Sequence, residues 1–281
     1  GFHSQAQGEE SFRPFPTRTV LSFLEGIYFE EKGNPSLPKI IFLHGLLGSS
    51  RNWRSVSNAL SMQWHVLAPD LRNHGRSFHD EEVGVAAMAE DLRDWMDRME
   101  MQSVVLCGHS LGGKVAMRFA NDFPEAVTKL VVVDIAPRDY PPEHHLPTLE
   151  ALLSLELDGL SSRKDADLLL REKIPNWGFR QFLLTNLEQD ESRLHWKPNL
   201  AALNRGIAKL SVNPLGEEDH FEGPCLFVRG GKSGYLRSEH LHLVDKYFTS
   251  ARVEVLENAG HDVHVEDREG FLKVLQSFIG D

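Results

Sequence analysis

Short apolar runs separated by amphipathic stretches organise most of the chain. Eight of these runs read as strands: residues 20–24, 26–30, 39–43, 64–68, 103–107, 129–133, 225–228 and 252–256. The first two resemble an antiparallel opening hairpin. The others are continuously apolar, the mark of parallel strands buried on both faces. Helix-like segments alternate with them, so the expected fold class is α/β: a mostly parallel eight-stranded sheet flanked by helices. From about 137 to about 215 the rhythm changes. After a proline-rich approach (Pro137, Pro141, Pro142, Pro147) strand patterns vanish and amphipathic helical pieces follow, which predicts a helical lid inserted between two core strands.

Composition narrows this picture. The 281 residues, 41% hydrophobic and 25% charged, suit one domain carrying an insertion. That domain is expected over 18–281, behind a flexible, unpatterned N-terminal segment at 1–17. A formal net charge of −11 disfavours nucleic acid or an anionic membrane as partner. No apolar run approaches about 18 residues, so no membrane span is expected. Cys107 and Cys225 lie in apolar runs and no glycosylation sequon occurs. Reduced thiols in an intracellular compartment are expected: the cytoplasm, or an organelle such as a mitochondrion or plastid after removal of a targeting peptide.

The candidate chemistry centres on Gly108-His109-Ser110-Leu111-Gly112, which follows the run 103–107 and precedes helix-like sequence. Strand, G-x-S-x-G, helix is the order of a nucleophile elbow, whose strained turn and close packing call for glycine on either side of the serine. A serine hydroxyl needs a base, and the base needs an orienting carboxylate. His261 stands just past the last strand run, in the chain order Ser, Asp, His. A zinc site of His261, His264 and Glu266 lacks H-E-x-x-H or any comparable ligand set, so no metal is expected. The acid is less obvious. In many proteins of this architecture it follows the next-to-last strand, but here that segment, R-G-G-K-S-G-Y, holds no carboxylate. Asp134 ends the run 129–133, where a carboxylate is costly unless paired; it is the candidate acid, with a helix cap or a solvated strand end as the plainer explanations. Ser233 is a candidate auxiliary partner, and Asp262 is a weaker rival because neighbours in sequence point apart.

Acyl transfer also needs oxyanion donors, for which the N–H groups of Leu46, in H-G-L-L-G-S, and Leu111 are the natural pair. The segment D-L-R-N-H-G-R-S reads as a scaffold loop tied by Asp–Arg contacts, with substrate contact second. Candidate pocket residues are His109, Trp177, Phe179, Phe182, Trp196 and Tyr235; simple packing of the lid on the sheet accounts equally well for its four aromatics.

Taken together, H-G-L-L-G-S, D-L-R-N-H-G-R-S, G-H-S-L-G-G-K, V-D-I-A-P, R-G-G-K-S and A-G-H-D-V-H-V-E resemble the α/β-hydrolase superfamily from about residue 18 to 281. Within it they look like the esterase and thioesterase group that includes abhydrolase domain-containing protein 11 and the bacterial YbfF-type esterases. The resemblance implies the acid in V-D-I-A-P, here Asp134, and Ser233 as the R-G-G-K-S serine. It also implies no organic cofactor and small-molecule acyl esters or thioesters as substrates. The expected function is a serine hydrolase working through an acyl-enzyme. Rival readings are a C–C bond hydrolase, a cofactor-free haloperoxidase, or a non-catalytic or very slow ligand receptor on the same scaffold. An epoxide hydrolase or dehalogenase would carry Asp at position 110.

Overall fold

The apolar runs do pair into one sheet. A computed structural model describes residues 23, 24 and 26–280; the expected segment 1–17 and the beginning of the first strand run, 20–22, lie outside them. The strands are β1 (Phe23–Leu24), β2 (Ile27–Lys32), β3 (Lys39–Leu43), β4 (His65–Pro69), β5 (Val104–His109), β6 (Val127–Val133), β7 (Leu187–Asp190), β8 (Arg193–Trp196), β9 (Cys225–Gly230) and β10 (Ala251–Leu256). Eight of them form the sheet in the order β1-β2-β4-β3-β5-β6-β9-β10. The two-residue β1 pairs only with β2, antiparallel, and β2 is antiparallel to β4. All later neighbours are parallel.

The helices are α1 (Arg54–Leu60), α2 (Val85–Arg98), α3 (Leu111–Asp122), α4 (Leu146–Leu153), α5 (Arg163–Leu170), α6 (Trp177–Leu184), α7 (Leu200–Arg205), α8 (Ile207–Ser211), α9 (Leu241–Tyr247), α10 (Val263–Glu266) and α11 (Arg268–Ile279). Successive strand residues point to opposite faces. On one face Ile41, Leu106, Leu130 and Phe227 share a core with Met88 and Leu92 of α2 and Val115 and Phe119 of α3. On the other, Ile40, Val105, Val131 and Leu226 pack with Val56 and Leu60 of α1 and Phe271 and Leu275 of α11. Both faces are dry, which is why these strands read as unbroken apolar runs. The two cysteines are free and buried in these layers.

The stretch from 137 to 215 packs into the first core, through Leu149, Leu183, Leu187 and Leu203. It is not wholly helical, as the sequence pattern had suggested. β7 and β8 form a separate antiparallel hairpin within it, pairing Leu187 with Trp196. Each strand has four residues and only one apolar face, with Leu187 and Leu194 buried and Glu191 at φ 50° in the turn. Such short, half-exposed strands leave little signal in a sequence.

Candidate active site

Ser110 sits between β5 and α3 with φ 54° and ψ −117°, a conformation that costs roughly 1–3 kcal/mol outside glycine. The turn is held by the Ser110 N–H, which donates to the Val133 carbonyl at 3.1 Å. It is also crowded. A Cβ on Gly108 would lie 2.1 Å from the Gly112 oxygen, and one on Gly112 would lie 2.4 Å from the Leu43 oxygen. Glycine at both places lets α3 start directly against β3 and β5, presenting the serine at the carboxyl edge of the sheet.

Three side chains from separate loops converge there. His261, in the loop after β10, places Nε2 2.9 Å from Ser110 Oγ and Nδ1 2.7 Å from Asp134 Oδ2. Asp134 follows β6 and is fully buried. Its Oδ1 accepts from the Gly230 N–H at 3.0 Å, and its Oδ2 accepts from the Ser233 hydroxyl as well as from His261. These donors offset the cost of burying a carboxylate, so Asp134 is neither a helix cap nor a solvated strand end. Asp262 turns away: its carboxylate is mostly exposed and lies 3.7 Å from His109 Nε2.

Neighbouring groups fix the imidazole. Tyr235 stacks on His261 with ring centroids 3.9 Å apart. The Tyr235 N–H donates to Ser233 Oγ at 3.1 Å, and its carbonyl accepts from the Tyr140 hydroxyl at 2.6 Å. His109 Nε2 lies 2.9 Å from the His261 carbonyl, so His109 ties the end of β5 to the His261 loop. On the other side of Ser110, His44 donates through Nδ1 to the Gly45 carbonyl (2.8 Å) and accepts the Leu71 N–H at Nε2 (3.0 Å). That fixes a neutral tautomer and shapes the loop carrying Leu46. A Cβ on Gly45 would approach Ser110 Cβ to 3.3 Å, so this loop lies against the serine. Leu111, the first residue of α3, has an N–H with no acceptor inside the helix.

A cavity of about 30 Å³, room for a water or two, opens on Ser110 between Leu46, Leu111, Ile135, Tyr140, Leu210 and Tyr235. Of the pocket residues expected from the sequence, only Tyr235 lines it. Trp177 and Phe179 are 69% and 42% exposed, Phe182 stacks on Phe179, and Trp196 sits on β8 against the core. The reason is the rotation of α6, whose buried face is Arg180, Leu183 and Leu184. Lys114, Tyr140 and His145 line the cavity instead. Lys114 carried a readable signal, an ionisable residue one turn after Ser110 in an apolar helix; the other two carried none.

The D-L-R-N-H-G-R-S segment is tied by Asp–Arg contacts, one inside the loop and one reaching out to α2. Asp70 accepts from the Ser50 and Arg76 N–H groups at 2.6 and 2.9 Å, while Arg72 forks onto Asp91 of α2 at 2.6 and 2.7 Å. His74, within it, and His44 are buried, and burial above all pushes them down to about 3 and about 4. The unfolded chain therefore binds protons at these sites that the folded chain refuses. Their contribution to stability is complete above pH 6.5 and is lost as pH falls towards 4 or 3, by about 1.4 kcal/mol per pH unit for each group across that window. Thermal unfolding from pH 7 to 4 should show a steep fall in Tm that His74→Asn makes shallower. An unchanged slope would contradict this origin.

Among the described residues no group of three or more His, Cys, Asp or Glu side chains is placed to hold a metal ion, and no helix is long and apolar enough to cross a membrane. The sequence pattern described as the Alpha/beta hydrolase family matches residues 40–274. The chain belongs to the alpha/beta hydrolase family. Among its relatives, the sn-1-specific diacylglycerol lipase ABHD11 of Mus musculus is 35% identical, covering 98% of this chain and 90% of its own. Esterase YbfF of Escherichia coli (strain K12) is 30% identical, covering 86% and 93%. A solved structure described as a marine microorganism esterase is similar at TM-score 0.87 and 34% identity, covering 90% of this chain and 98% of that one.

Proposed function

We propose that this protein hydrolyses carboxylic esters through an acyl-enzyme formed on Ser110. One observation carries the reading: an unbroken hydrogen-bonded row runs from buried Asp134 through His261 to a serine on a strained elbow. In this mechanism His261 Nε2 takes the Ser110 proton as Oγ attacks the acyl carbonyl. Asp134 holds Nδ1–H and stabilises the imidazolium. The N–H groups of Leu46 and Leu111 receive the developing oxyanion. His261 then protonates the leaving alcohol, and water activated by the same imidazole releases the acid and restores Ser110. An acyl thioester presents the same carbonyl with a thiol leaving group, so it falls within the same chemistry. Relatives named esterase and lipase support the ester reading. The stretch 137–215 acts as a lid, because a cavity of about 30 Å³ admits an acyl chain only when its cover moves.

The test is a series of p-nitrophenyl esters from acetate to long chain, combined with labelling by a fluorophosphonate. Turnover above roughly one per second, together with a fluorophosphonate adduct on the peptide carrying Ser110, is expected. Turnover that survives full labelling of Ser110, or absence of turnover across the series, overturns the reading.

A further inference from the structure

The cavity at Ser110 has apolar walls broken by Lys114, His145, Ser211 and the two tyrosines Tyr140 and Tyr235. Lys114 lies one helical turn along α3, its N–H donating to the Ser110 carbonyl at 3.1 Å, and it lines the same cavity while being only 3% exposed. Its Nζ donates to the Leu210 and Val212 carbonyls at 2.9 Å each, at the end of α8. Among the described residues it has no carboxylate at ion-pair distance, and no Asp or Glu lines the cavity. Asp139, the acid that acts on it from farther off, is already bonded to the Asn213 N–H. An ammonium has three N–H donors; the two carbonyls use two, and the Tyr140 ring lies 5.3 Å from Nζ, so its partners are all uncharged. A buried cation without a counter-ion is unfavourable. Here it borders the cavity that opens on Ser110, where a ligand can supply the missing charge.

We propose that Lys114 makes this a site for acyl groups that end in a carboxylate, with the ester carbonyl at Ser110 and the distal carboxylate on the Lys114 ammonium. The substrate class is the half-esters of short dicarboxylic acids. The placing of the ester end rests on the hydrolase reading above; the anion site does not. Leu111, Ile135 and Leu210 wall the space between; at about 30 Å³ it takes the intervening methylenes only when the cover that carries Leu210 moves outward. Burial lowers the ammonium to about 8, so it carries its charge at neutral pH.

Binding to the Ser110→Ala protein tests this without any turnover. Methyl hydrogen succinate, glutarate and adipate are each titrated calorimetrically against the corresponding neutral dimethyl ester. A charge-assisted hydrogen bond predicts that at least one half-ester binds about 10- to 100-fold tighter than its dimethyl ester. Adding Lys114→Met, or Lys114→Gln, which keeps an amide donor for the α8 carbonyls, should bring that ratio close to one. No preference in Ser110→Ala, or a preference that survives in a folded Lys114 variant, overturns the proposal. A protein that binds half-esters and hydrolyses no ester would sink the proposed function alone, whereas ester turnover without the binding preference would sink the Lys114 site alone.

Discussion

Ser110→Ala is expected to lower ester turnover by about 10⁵- to 10⁶-fold, the scale seen when a serine hydrolase loses its nucleophile. The change removes one oxygen whose hydrogen bond is to His261. Everything else that the proposed mechanism uses stays: the Leu46 and Leu111 amides, the cavity walls and the imidazole itself. The residual rate should therefore exceed that of water by the part that oxyanion stabilisation and binding supply. Folding should be barely affected. His261 keeps 26% side-chain exposure, so water can satisfy Nε2. The backbone at 110 remains strained whether it carries serine or alanine. A thermal midpoint within a few degrees of the parent, beside a collapsed kcat, is the expected pair of results. Retention of more than about one per cent of the parent rate, far above the expected residue, would put the nucleophile elsewhere.

What could be read in the sequence follows from where the physics is local. The core strands were legible because burial on both faces demands continuous apolar runs; β3 spans 39–43, as expected, and β5 extends the run 103–107 through Gly108 and His109. Ser110 was legible because the elbow imposes glycines at fixed spacing. Asp134 became legible by elimination, since the R-G-G-K-S-G-Y segment at the end of β9 holds no carboxylate. The aromatics of the 137–215 stretch misled because α6 turns a charge inward. Arg180 is buried with its Nε 2.5 Å from Asp167 and its guanidinium on the Ile174 carbonyl, which leaves Trp177 and Phe179 facing out. A buried ion pair inverts the simple rule that the apolar side of a helix faces in. The stacking of Tyr235 on His261 was hidden for another reason: it depends on the meeting of loops after β9 and β10, which no local pattern records.

Asp134→Asn should depress kcat by about 10⁴-fold with little change in stability, on the precedent of triads that lose their carboxylate charge. The surroundings dictate how the amide must sit. Oδ1 accepts the Gly230 N–H, a fixed donor, so the asparagine oxygen has to occupy that position. The amide nitrogen then falls where Oδ2 stood, against Ser233 Oγ and His261 Nδ1. The Ser233 hydroxyl can rotate and accept. Nδ1 of His261 must also accept, which moves the ring proton to Nε2, facing Ser110. In that tautomer the imidazole cannot take the serine proton, and any imidazolium that forms has lost the counter-charge that the buried carboxylate supplied. Wild-type and variant kcat on the best p-nitrophenyl ester, with thermal unfolding as the folding control, measure this directly. A rate within tenfold of the parent would mean that another carboxylate orients the base, and exposed Asp262 would be the next residue to replace.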